Sequence, residues 1–406
     1  MPHRRTINTI KNTNLNTING DNMNFPLGYA TSPPPRSIAP SAHLKRIAKF
    51  CIVGIALSVA VIKPATAANV MLYGVMDTFL GYYKNHETSV VNLNSGGLAG
   101  SRWGMRGEED LSGDLKARFV LEGGINVTTG TAAQSGRLFG RRATVGLISK
   151  SLGKIEIGRQ PTPGYDWGTI FDPILVAPAS VIASLTGEID NPWMFNPLTD
   201  PARLDNLIRY NSPLLAGLSI SLSHSIAGNT SPTNQVKTYD VGSLIYQYQG
   251  LQLGYGFGRS SGTTDLTPDT KRQIEHAFGA IYRFPWFSVY LTYQLRMPKD
   301  SSADKAWQVG MRIPFGIRHA VHLGWGGRNG GLPDAAPANT LTQDVRVWAA
   351  AYIYEMSKRT SLYAYFKRLE NRGSSRLTIL PPAGLPNPAH NGEDVTTFGI
   401  GINHRF

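Results

Sequence analysis

The stretch Phe398–Phe406, FGIGINHRF, alternates large apolar residues with small or polar ones up to the last residue of the chain. Phe398, Ile400 and Phe406 share one parity, as side chains on one face of a β-strand do. A strand with this pattern to its last residue has no tail to fray, so we expect a neighbouring strand to hold it. The predicted partner is the first strand, residues 69–83, because pairing of the last and first strands closes a barrel and leaves no open edge.

The same two-residue period recurs through the rest of the chain. In LKARFVLEG (115–123), Leu115 and Phe119 oppose Lys116 and Arg118. In GLSISLSHS (217–225), leucine and isoleucine alternate with serine, so one face suits water and the other hydrocarbon. No convincing helical stripe follows Asn69. The pattern predicts an all-β fold, although a soluble β-sandwich would alternate in the same way.

An N-terminal leader is predicted over residues 1–67. The apolar run at about 50–62, FCIVGIALSVAVI, is too short for a bilayer helix, which needs about 20 residues. It follows a basic segment and precedes Ala65-Thr66-Ala67, so it fits a signal peptide cleaved near Ala67 or Ala68. The single cysteine, Cys51, lies within this leader, so the exported chain is expected to have no disulfide and no thiolate metal site.

The spacing of the connections favours a membrane barrel over a sandwich. Short turns alternate along the chain with long polar connections, as in outer-membrane barrels, which have short periplasmic turns and long external loops. Sixteen antiparallel strands, a number that encloses an aqueous channel, are predicted at residues 69–83, 100–108, 114–127, 137–149, 153–160, 203–211, 216–226, 237–249, 251–259, 272–283, 286–297, 306–314, 318–327, 344–356, 359–370 and 395–406. Tyr and Trp side chains near the strand ends, among them Tyr83, Tyr290, Trp325 and Tyr363, are consistent with interfacial girdles.

The formal charge of +13 raises the question of a nucleic-acid partner. The predicted leader accounts for eight of the basic residues and one acid, and the remaining chain has a net charge of +6 with no lysine or arginine run longer than two. This indicates a mildly cationic surface or lumen and no nucleic-acid partner. The glycines of GYGFGR (254–259) lie within an alternating strand and open no helix, so they do not indicate nucleotide binding.

Several motifs in family order give the chain its resemblance to known proteins. They include LYGVMD (72–77), SRWGMRGEEDLSGDLKARFVLEGGINVTTG (101–130), GRLFGRRATVGLISKSLGKIEIGRQ (136–160), RLDNLIRYNSP (203–213), YIYEMSKRTSLYAY (352–365) and the terminal INHRF. The chain resembles the general Gram-negative porins of the Neisseria and Burkholderia type. The resemblance implies a sixteen-stranded, trimeric outer-membrane pore for passive diffusion of small hydrophilic solutes and ions. It also implies that Phe406 is an insertion signal for the barrel-insertion machinery.

The longest connection, about 161–202, corresponds to the third external loop, which in this family folds into the barrel and narrows the lumen. Its apolar sequence IFDPILVAPASVIASL must pack against something, since such a loop would not stay free in solvent. Asp166, Glu188 and Asp190 are expected to form an acidic side of the constriction. Asp172 precedes a proline, so it could equally cap a turn.

The opposite side of the constriction is predicted to be basic. Arg102 and Arg203 match family positions at the constriction, and Lys116 and Arg118 share the predicted lumen face of the third strand. Arg141 is expected to face the lumen and its neighbour Arg142 the other side, on the assumption that consecutive residues point to opposite faces.

The predicted function is passive diffusion of hydrophilic solutes and ions through the outer membrane, with weak preference for anions because of the basic excess. Two alternatives use the same barrel: a substrate-specific channel, and an outer-membrane enzyme for which His224, between Ser223 and Ser225, is the nearest candidate. No acid lies near His224 in sequence, so no enzymatic activity is predicted. Neither a cofactor nor a metal ion is predicted, and the expected partners are two further copies of the chain and outer-membrane lipids.

Overall fold

The fold was analysed in a computed structural model. The structure describes residues 69–174, 176–187, 193–198, 201–226, 229–230, 236–264, 267–268, 272–299, 301–332, 336–337, 340–378, 388 and 390–406. The predicted cleavage site at Ala67 or Ala68 lies outside these residues, so the leader remains a prediction. Among the described residues, no helix has both the length and the apolar character needed to cross a bilayer.

Nineteen strands make up one antiparallel sheet. They are β1 Asn69–Lys84, β2 Ser89–Ser95, β3 Arg102–Ser112, β4 Leu115–Gly124, β5 Arg142–Ser149, β6 Gly153–Pro161, β7 Arg203–Asn211, β8 Leu218–Ser225, β9 Asn229–Thr230, β10 Val236–Tyr248, β11 Leu251–Thr264, β12 Thr267–Pro268, β13 Gln273–Arg283, β14 Ser288–Pro298, β15 Asp304–Phe315, β16 His319–Asn329, β17 Gln343–Glu355, β18 Thr360–Gly373 and β19 Val395–Arg405. β2 and β3 pair with successive parts of β1, so they are two halves of one wall strand that residues 96–101 interrupt. β9 and β12 are two-residue extensions. With β2 and β3 counted as one, sixteen strands form the closed barrel that the sequence predicts.

The barrel closes between β19 and β1, and the expected pairing is confirmed. The register runs from Val75 opposite Arg405 to Lys84 opposite Thr396. The last residue adds a rung, because Phe406 N–H donates to the Gly74 carbonyl and Gly74 N–H donates to the Phe406 carbonyl, both at 3.1 Å. A Cβ atom on Gly74 would lie 2.2 Å from the Phe406 ring, so the close approach of the ring requires glycine there.

The alternation sorts side chains between the outer surface and the lumen. Outward positions such as Leu72, Val145 and Ile400 are large, apolar and more than 60% exposed, as expected where lipid would cover the wall. Inward positions carry many polar groups. Some of the tyrosines assigned to a girdle are also inward: Tyr83, Tyr290 and Tyr363 are buried, so that part of the girdle prediction is wrong, whereas Trp325 does face outward.

The third external loop lies between β6 and β7 and folds into the lumen. It contains helix α1, Pro163–Phe171, a 3₁₀ turn at Ala177–Ala179 and helix α2, Val181–Thr186. Thr162 caps α1 by accepting a hydrogen bond from Tyr165 N–H, and Ser180 caps α2 by accepting one from Ala183 N–H. The apolar side chains of the loop are buried against the inner wall formed by β10 to β19 and β1.

Glycines on the inner wall make room for this loop. A Cβ on Gly256 would lie 2.1 Å from the Phe195 ring, and one on Gly254 would lie 2.3 Å from the Phe171 ring. Tyr255 and Phe257, each directly after one of these glycines, are exposed on the outer surface. The glycine-rich stretch 254–259 therefore forms part of the surface on which the inward-folded loop packs.

Candidate functional site in the barrel lumen

Glu122, on the inner face of β4, is the centre of the charged cluster in the lumen. Its carboxylate accepts hydrogen bonds from Arg141 Nε at 2.8 Å and from Tyr73 Oη at 3.0 Å, and Arg102 Nε lies 3.6 Å away. Arg102, at the start of β3, also donates through Nη1 to the Gly100 carbonyl at 2.9 Å. One carboxylate thus faces two guanidinium groups, which leaves an excess of positive charge beside the lumen.

Arg203, at the start of β7, lies beside the same space. Its guanidinium lies 4.7 Å from the centre of the Tyr165 ring, a cation–π contact with the first turn of α1. Arg102, Arg141, Arg203 and Tyr165 all line one cavity of about 490 Å³ between the barrel wall and the loop. The structure therefore brings together three of the five basic residues singled out in the sequence.

The prediction that Arg141 and Arg142 point to opposite faces is wrong. Arg141 lies in a bend before β5 begins, so strand alternation does not apply to it, and its side chain reaches Glu122. Arg142 is the first residue of β5 and lies directly opposite Glu122 in the β4–β5 register. Residues directly opposite each other in an antiparallel pair share a face. Both arginines are therefore on the lumen side.

Lys116 and Arg118 lie on the inner face of β4 but away from this cluster. Lys116 Nζ is 3.1 Å from Asp110, and Arg118 Nε is 3.9 Å from Glu108. Arg118 is four residues before Glu122, which corresponds to about 13 Å along a strand at about 3.3 Å per residue. These two cations belong to a separate set of ion pairs nearer the short β3–β4 turn.

The acidic residues predicted in the third loop have different surroundings. Asp166, in the first turn of α1, forms a close ion pair with Arg209 of β7, so its charge is balanced by the wall on which α1 rests. Glu188 and Asp190 lie outside the described residues. Their place opposite the arginines remains a prediction.

Asp172 has a structural role in the loop. Its carboxylate accepts hydrogen bonds from Ile174 N–H at 2.9 Å and from Ser180 Oγ at 2.5 Å, which closes the turn that leads from α1 to α2. Burial raises the pKa of Asp172 to about 6, although the hydrogen bonds and the nearby cations Arg312 and Lys367 act in the opposite direction. The turn-capping alternative is the one that the contacts support.

Four residues of the cluster were not predicted as lumen site residues: Tyr73, Glu122, Arg142 and Tyr165. Glu122 shares the parity of Lys116 and Arg118, so the alternation did contain a signal for it. Tyr165 lies in a loop helix, and no period in the sequence relates that helix to the arginines. Its position depends on how the whole loop packs.

The other chemical alternatives find little support in the geometry of the described residues. His224 contacts Asp240 at 2.7 Å and is exposed, whereas Ser223 and Ser225, on either side of it, are buried on the opposite face. A nucleophile, base and acid therefore do not converge there. In the described part of the chain, the residues with metal-ligand spacing are Glu87, His390 and Glu393. His390 and Glu87 already form an ion pair of 3.4 Å, and we assign no metal to them.

Comparisons with known proteins agree with this architecture. The Gram-negative porin family model matches residues 54–374. An outer membrane porin protein of Bordetella pertussis is 26% identical over 396 residues, covering 83% of this chain and 94% of the relative. Among solved structures, the anion-selective porin from Comamonas acidovorans is 24% identical with a TM-score of 0.68 and covers 84% of this chain and 100% of its own. OmpT of Vibrio cholerae, solved in a trimer form, is 13% identical with a TM-score of 0.62, with the same coverage of both chains.

The two solved structures are less than 25% identical and support the fold alone. The family model, in contrast, matches most of the chain. The fold, a closed sixteen-stranded barrel with a loop folded into its lumen, agrees with that match. On these grounds the chain belongs to the Gram-negative porin family and is a diffusion channel of the outer membrane.

Proposed function

We propose that this porin passes small hydrophilic solutes and ions with a weak preference for anions, and that Arg102, Arg141 and Arg203 form the basic side of its constriction. The single observation that supports the proposal is the cavity that these three arginines line together. The name of the Comamonas relative, an anion-selective porin, is consistent with this proposal.

The mechanism requires no catalytic group. The third loop narrows the water-filled lumen, so solute size limits passage, and the fixed guanidinium charges lower the energy of an anion in the narrow region relative to a cation. Unit charges 4 Å apart in water interact by about 1 kcal/mol, which corresponds to about a fivefold change in partition. We assign Glu188 and Asp190 to the acidic side of the constriction, where they would keep the preference weak. Lys116 and Arg118, which lie beside Asp110 and Glu108, would contribute little net charge lower in the lumen.

Loss of a constriction arginine should reduce the anion preference. In planar bilayers under a salt gradient, we expect Arg102→Ala and Arg203→Ala each to lower the anion-to-cation permeability ratio by about fivefold or less, as one lost charge at about 4 Å implies. The matched control is Lys305→Ala, which removes a positive charge from the outer face of β15, where Lys305 lies between the inward and buried Asp304 and Ala306. Unchanged reversal potentials in both arginine variants would remove these residues from the constriction, and cation preference in the wild type would contradict the proposed selectivity.

A substrate-specific channel is the second candidate, because guanidinium groups beside an aromatic ring could bind a carboxylate solute. Liposome swelling with neutral sugars and with monocarboxylates and dicarboxylates of graded size distinguishes the two candidates. Permeation rates that depend on size alone support the general pore. Saturation by one solute supports the specific channel.

We further propose that the mature protein is a homotrimer that starts near Ala68. The trimer form of the Vibrio cholerae structure and the family resemblance support the trimer. A basic segment followed by an apolar run and an A-x-A site supports the cleavage. Mass spectrometry of the purified protein in detergent, under native and denaturing conditions, tests both proposals through the mass of the assembly and of its chain.

A further inference from the structure

We propose that Asp77, a buried residue on the inner face of β1, is a positioning residue for the constriction. It would act through the connection Gly96–Ser101, which we call the clamp segment. This inference rests on the proposed function of Arg102 and Arg141. It concerns a residue that touches neither permeating solute nor ion, so its role differs from that of the arginines.

The Asp77 carboxylate is 1% exposed and accepts five hydrogen bonds. Three come from backbone N–H groups of the clamp segment: Gly97 at 2.7 Å, and Leu98 and Ala99 at 3.0 Å each. The other two come from the barrel wall, from Tyr363 Oη of β18 at 2.7 Å and Asn403 Nδ2 of β19 at 2.8 Å. A carboxylate with several backbone N–H donors is a strong anchor, because hydrogen bonds to a charged group are stronger than neutral ones.

Ser101 fixes the other end of the clamp segment to the same residue. Its Oγ donates to the Asp77 carbonyl at 2.9 Å and accepts from Asp77 N–H at 3.0 Å. Gly96 N–H also donates to the Asp77 carbonyl at 2.9 Å. Both ends and the middle of the segment are thus tied to one residue of β1.

The clamp segment in turn contacts three parts of the constriction. The Gly100 carbonyl accepts from Arg102 Nη1 at 2.9 Å, and a Cβ on Gly100 would lie 3.0 Å from Arg141 Nη1. The Gly97 carbonyl accepts from Ala177 N–H of the third loop at 2.7 Å. The segment therefore lies between the basic side and the loop, and its position sets the separation of the two.

An amide in place of the carboxylate cannot keep this arrangement. One oxygen of Asp77 accepts from Gly97 and Tyr363, and the other accepts from Leu98, Ala99 and Asn403. The NH₂ group of asparagine would replace one of these oxygens, and at least one backbone N–H of the clamp segment would then face another donor, because a backbone N–H cannot accept. Asp77→Asn should release the clamp segment without a change of side-chain size.

The first experiment compares Asp77→Asn with the wild type in planar bilayers. Release of the clamp segment lets Arg102 and the loop shift, so we expect the anion-to-cation permeability ratio to change by about twofold, less than for an arginine removed outright, together with more open-channel current noise. Retention of the folded barrel is checked by the shift of the unheated protein on denaturing gels. A ratio and noise equal to those of the wild type would overturn the proposal.

A matched pair of tyrosine variants keeps the test decisive if Asp77→Asn fails to fold. Tyr363 and Tyr365 are both buried inward residues of β18, but Tyr363 Oη bonds to Asp77 whereas Tyr365 Oη contacts Thr397 Oγ1 at 3.3 Å. We expect Tyr363→Phe to change the permeability ratio in the same direction as Asp77→Asn and by less, and Tyr365→Phe to leave it unchanged. Equal effects of the two tyrosine variants would contradict the role of Asp77.

A spectroscopic readout separates this inference from the proposed function. Cys51 is the only cysteine of the chain, so Cys51→Ser in the Ala99→Cys variant leaves one site for a nitroxide label. We expect a label at residue 99 to be immobilised in the otherwise unchanged protein and with Tyr365→Phe, more mobile with Tyr363→Phe, which removes one of the five hydrogen bonds, and most mobile with Asp77→Asn. If the label responds in this way but Arg102→Ala leaves selectivity unchanged, the proposed constriction fails. If Arg102→Ala alters selectivity and the label does not respond, the inference about Asp77 fails by itself.

Discussion

At the scale of single residues, Glu122 controls how much positive charge the lumen presents. It is the carboxylate that Arg141 and Tyr73 both bind, and Arg102 lies beside it. Its negative charge offsets one of the two guanidinium charges at close range. Any anion in this region therefore experiences both attraction to the arginines and repulsion from Glu122.

Removal of this carboxylate charge should strengthen the anion preference. We expect Glu122→Gln to raise the anion-to-cation permeability ratio by up to about fivefold, the factor for a unit charge at about 4 Å in water. Reversal potentials in planar bilayers measure the ratio. Glu109→Gln, an exposed outward position on β3, removes an equal charge outside the lumen and should have no effect. A lower ratio in Glu122→Gln would contradict the assignment.

Which residues face the lumen could be predicted from the sequence only for residues in regular strands. Arg102 and Arg203 begin strands that the alternation identified, and both lie beside the cavity. The error at Arg141 and Arg142 arose because parity was applied one residue before β5 begins. Parity gives the face of the strand on which a residue lies but not its position along the barrel axis. It therefore did not separate Lys116 and Arg118 from the cluster around Glu122.

At the scale of elements, the third loop and the glycines of β11 and β13 form one packed unit. Phe171 fills the space at Gly254 and Gly279, and Phe195 fills the space at Gly256. The loop thus packs against bare backbone, and the wall has no side chains there to be pushed aside. Two hydrogen bonds act in addition to this fit, one from Met194 N–H to Glu275 and one from Arg312 Nε to the Pro173 carbonyl. The fit and these bonds hold the loop inside the barrel.

A methyl group at Gly256 should displace the loop toward the lumen. Its Cβ would lie 2.1 Å from the Phe195 ring, and overpacking of this kind costs about 1–3 kcal/mol. We expect Gly256→Ala to lower single-channel conductance, and Gly256→Ala with Phe195→Ala to restore it. Gly242→Ala is the control, because a Cβ on this outward glycine of β10 would meet the flexible Leu222 side chain at 3.1 Å and the Ser221 carbonyl oxygen at an ordinary contact distance of 3.6 Å. Equal conductance in Gly256→Ala and Gly242→Ala would count against the packed unit.

Asp172 should make the packing of this loop depend on pH. Its pKa is raised from 3.8 to about 6, so its ionised form is disfavoured in the folded protein and the cost grows as pH rises from about 4 to about 6. A shift of about 2 pKa units corresponds to about 3 kcal/mol. We expect the melting temperature of Asp172→Asn, relative to the wild type in the same detergent, to be higher at pH 7.5 than at pH 4. A difference that does not vary with pH would contradict this.

The elements of the barrel followed well from the sequence, whereas its loops did not. A two-residue period is a local property, so the sixteen barrel strands could be counted, and β7 begins and ends at its predicted residues. The strand predicted from 137 begins at Arg142, because the residues before it form a turn in which Gln134 and Ser135 adopt positive φ. The predicted strand 100–108 did not include β2, the first half of the same wall strand. The extensions β9 and β12 and the helices of the third loop depend on contacts distant in sequence, which no local period reports.

For the barrel as a whole, closure joins the first strand to the last. The expectation that the final strand is held to its last residue agrees with the two backbone hydrogen bonds between Phe406 and Gly74. A substitution of Phe406 keeps the backbone hydrogen bonds to Gly74 and removes only the ring. The structural role of the backbone can therefore be tested separately from the insertion signal attributed to the side chain.

We expect Phe406→Ala to fold in detergent with nearly wild-type stability, since its backbone bonds to Gly74 remain. The family resemblance implies that the insertion machinery reads the aromatic side chain of Phe406, so the same variant should accumulate less in the outer membrane of cells. Phe406→Trp is the control and should accumulate normally. Quantification of folded barrel in outer-membrane fractions measures the effect. Equal levels of all three proteins would rule out an insertion role for the aromatic ring.

The glycine-lined wall has a consequence for engineering of the pore. At Gly254, Gly256 and Gly279 the inner surface has hydrogen atoms where other residues would carry side chains, and the loop fills that gap. Excision of the loop would widen the bore and would expose the cations that the loop covers, among them Arg296, Arg312 and Lys367. A polyanion threaded through such a bore would meet positive charge on both sides, which should slow its passage in a nanopore sensor.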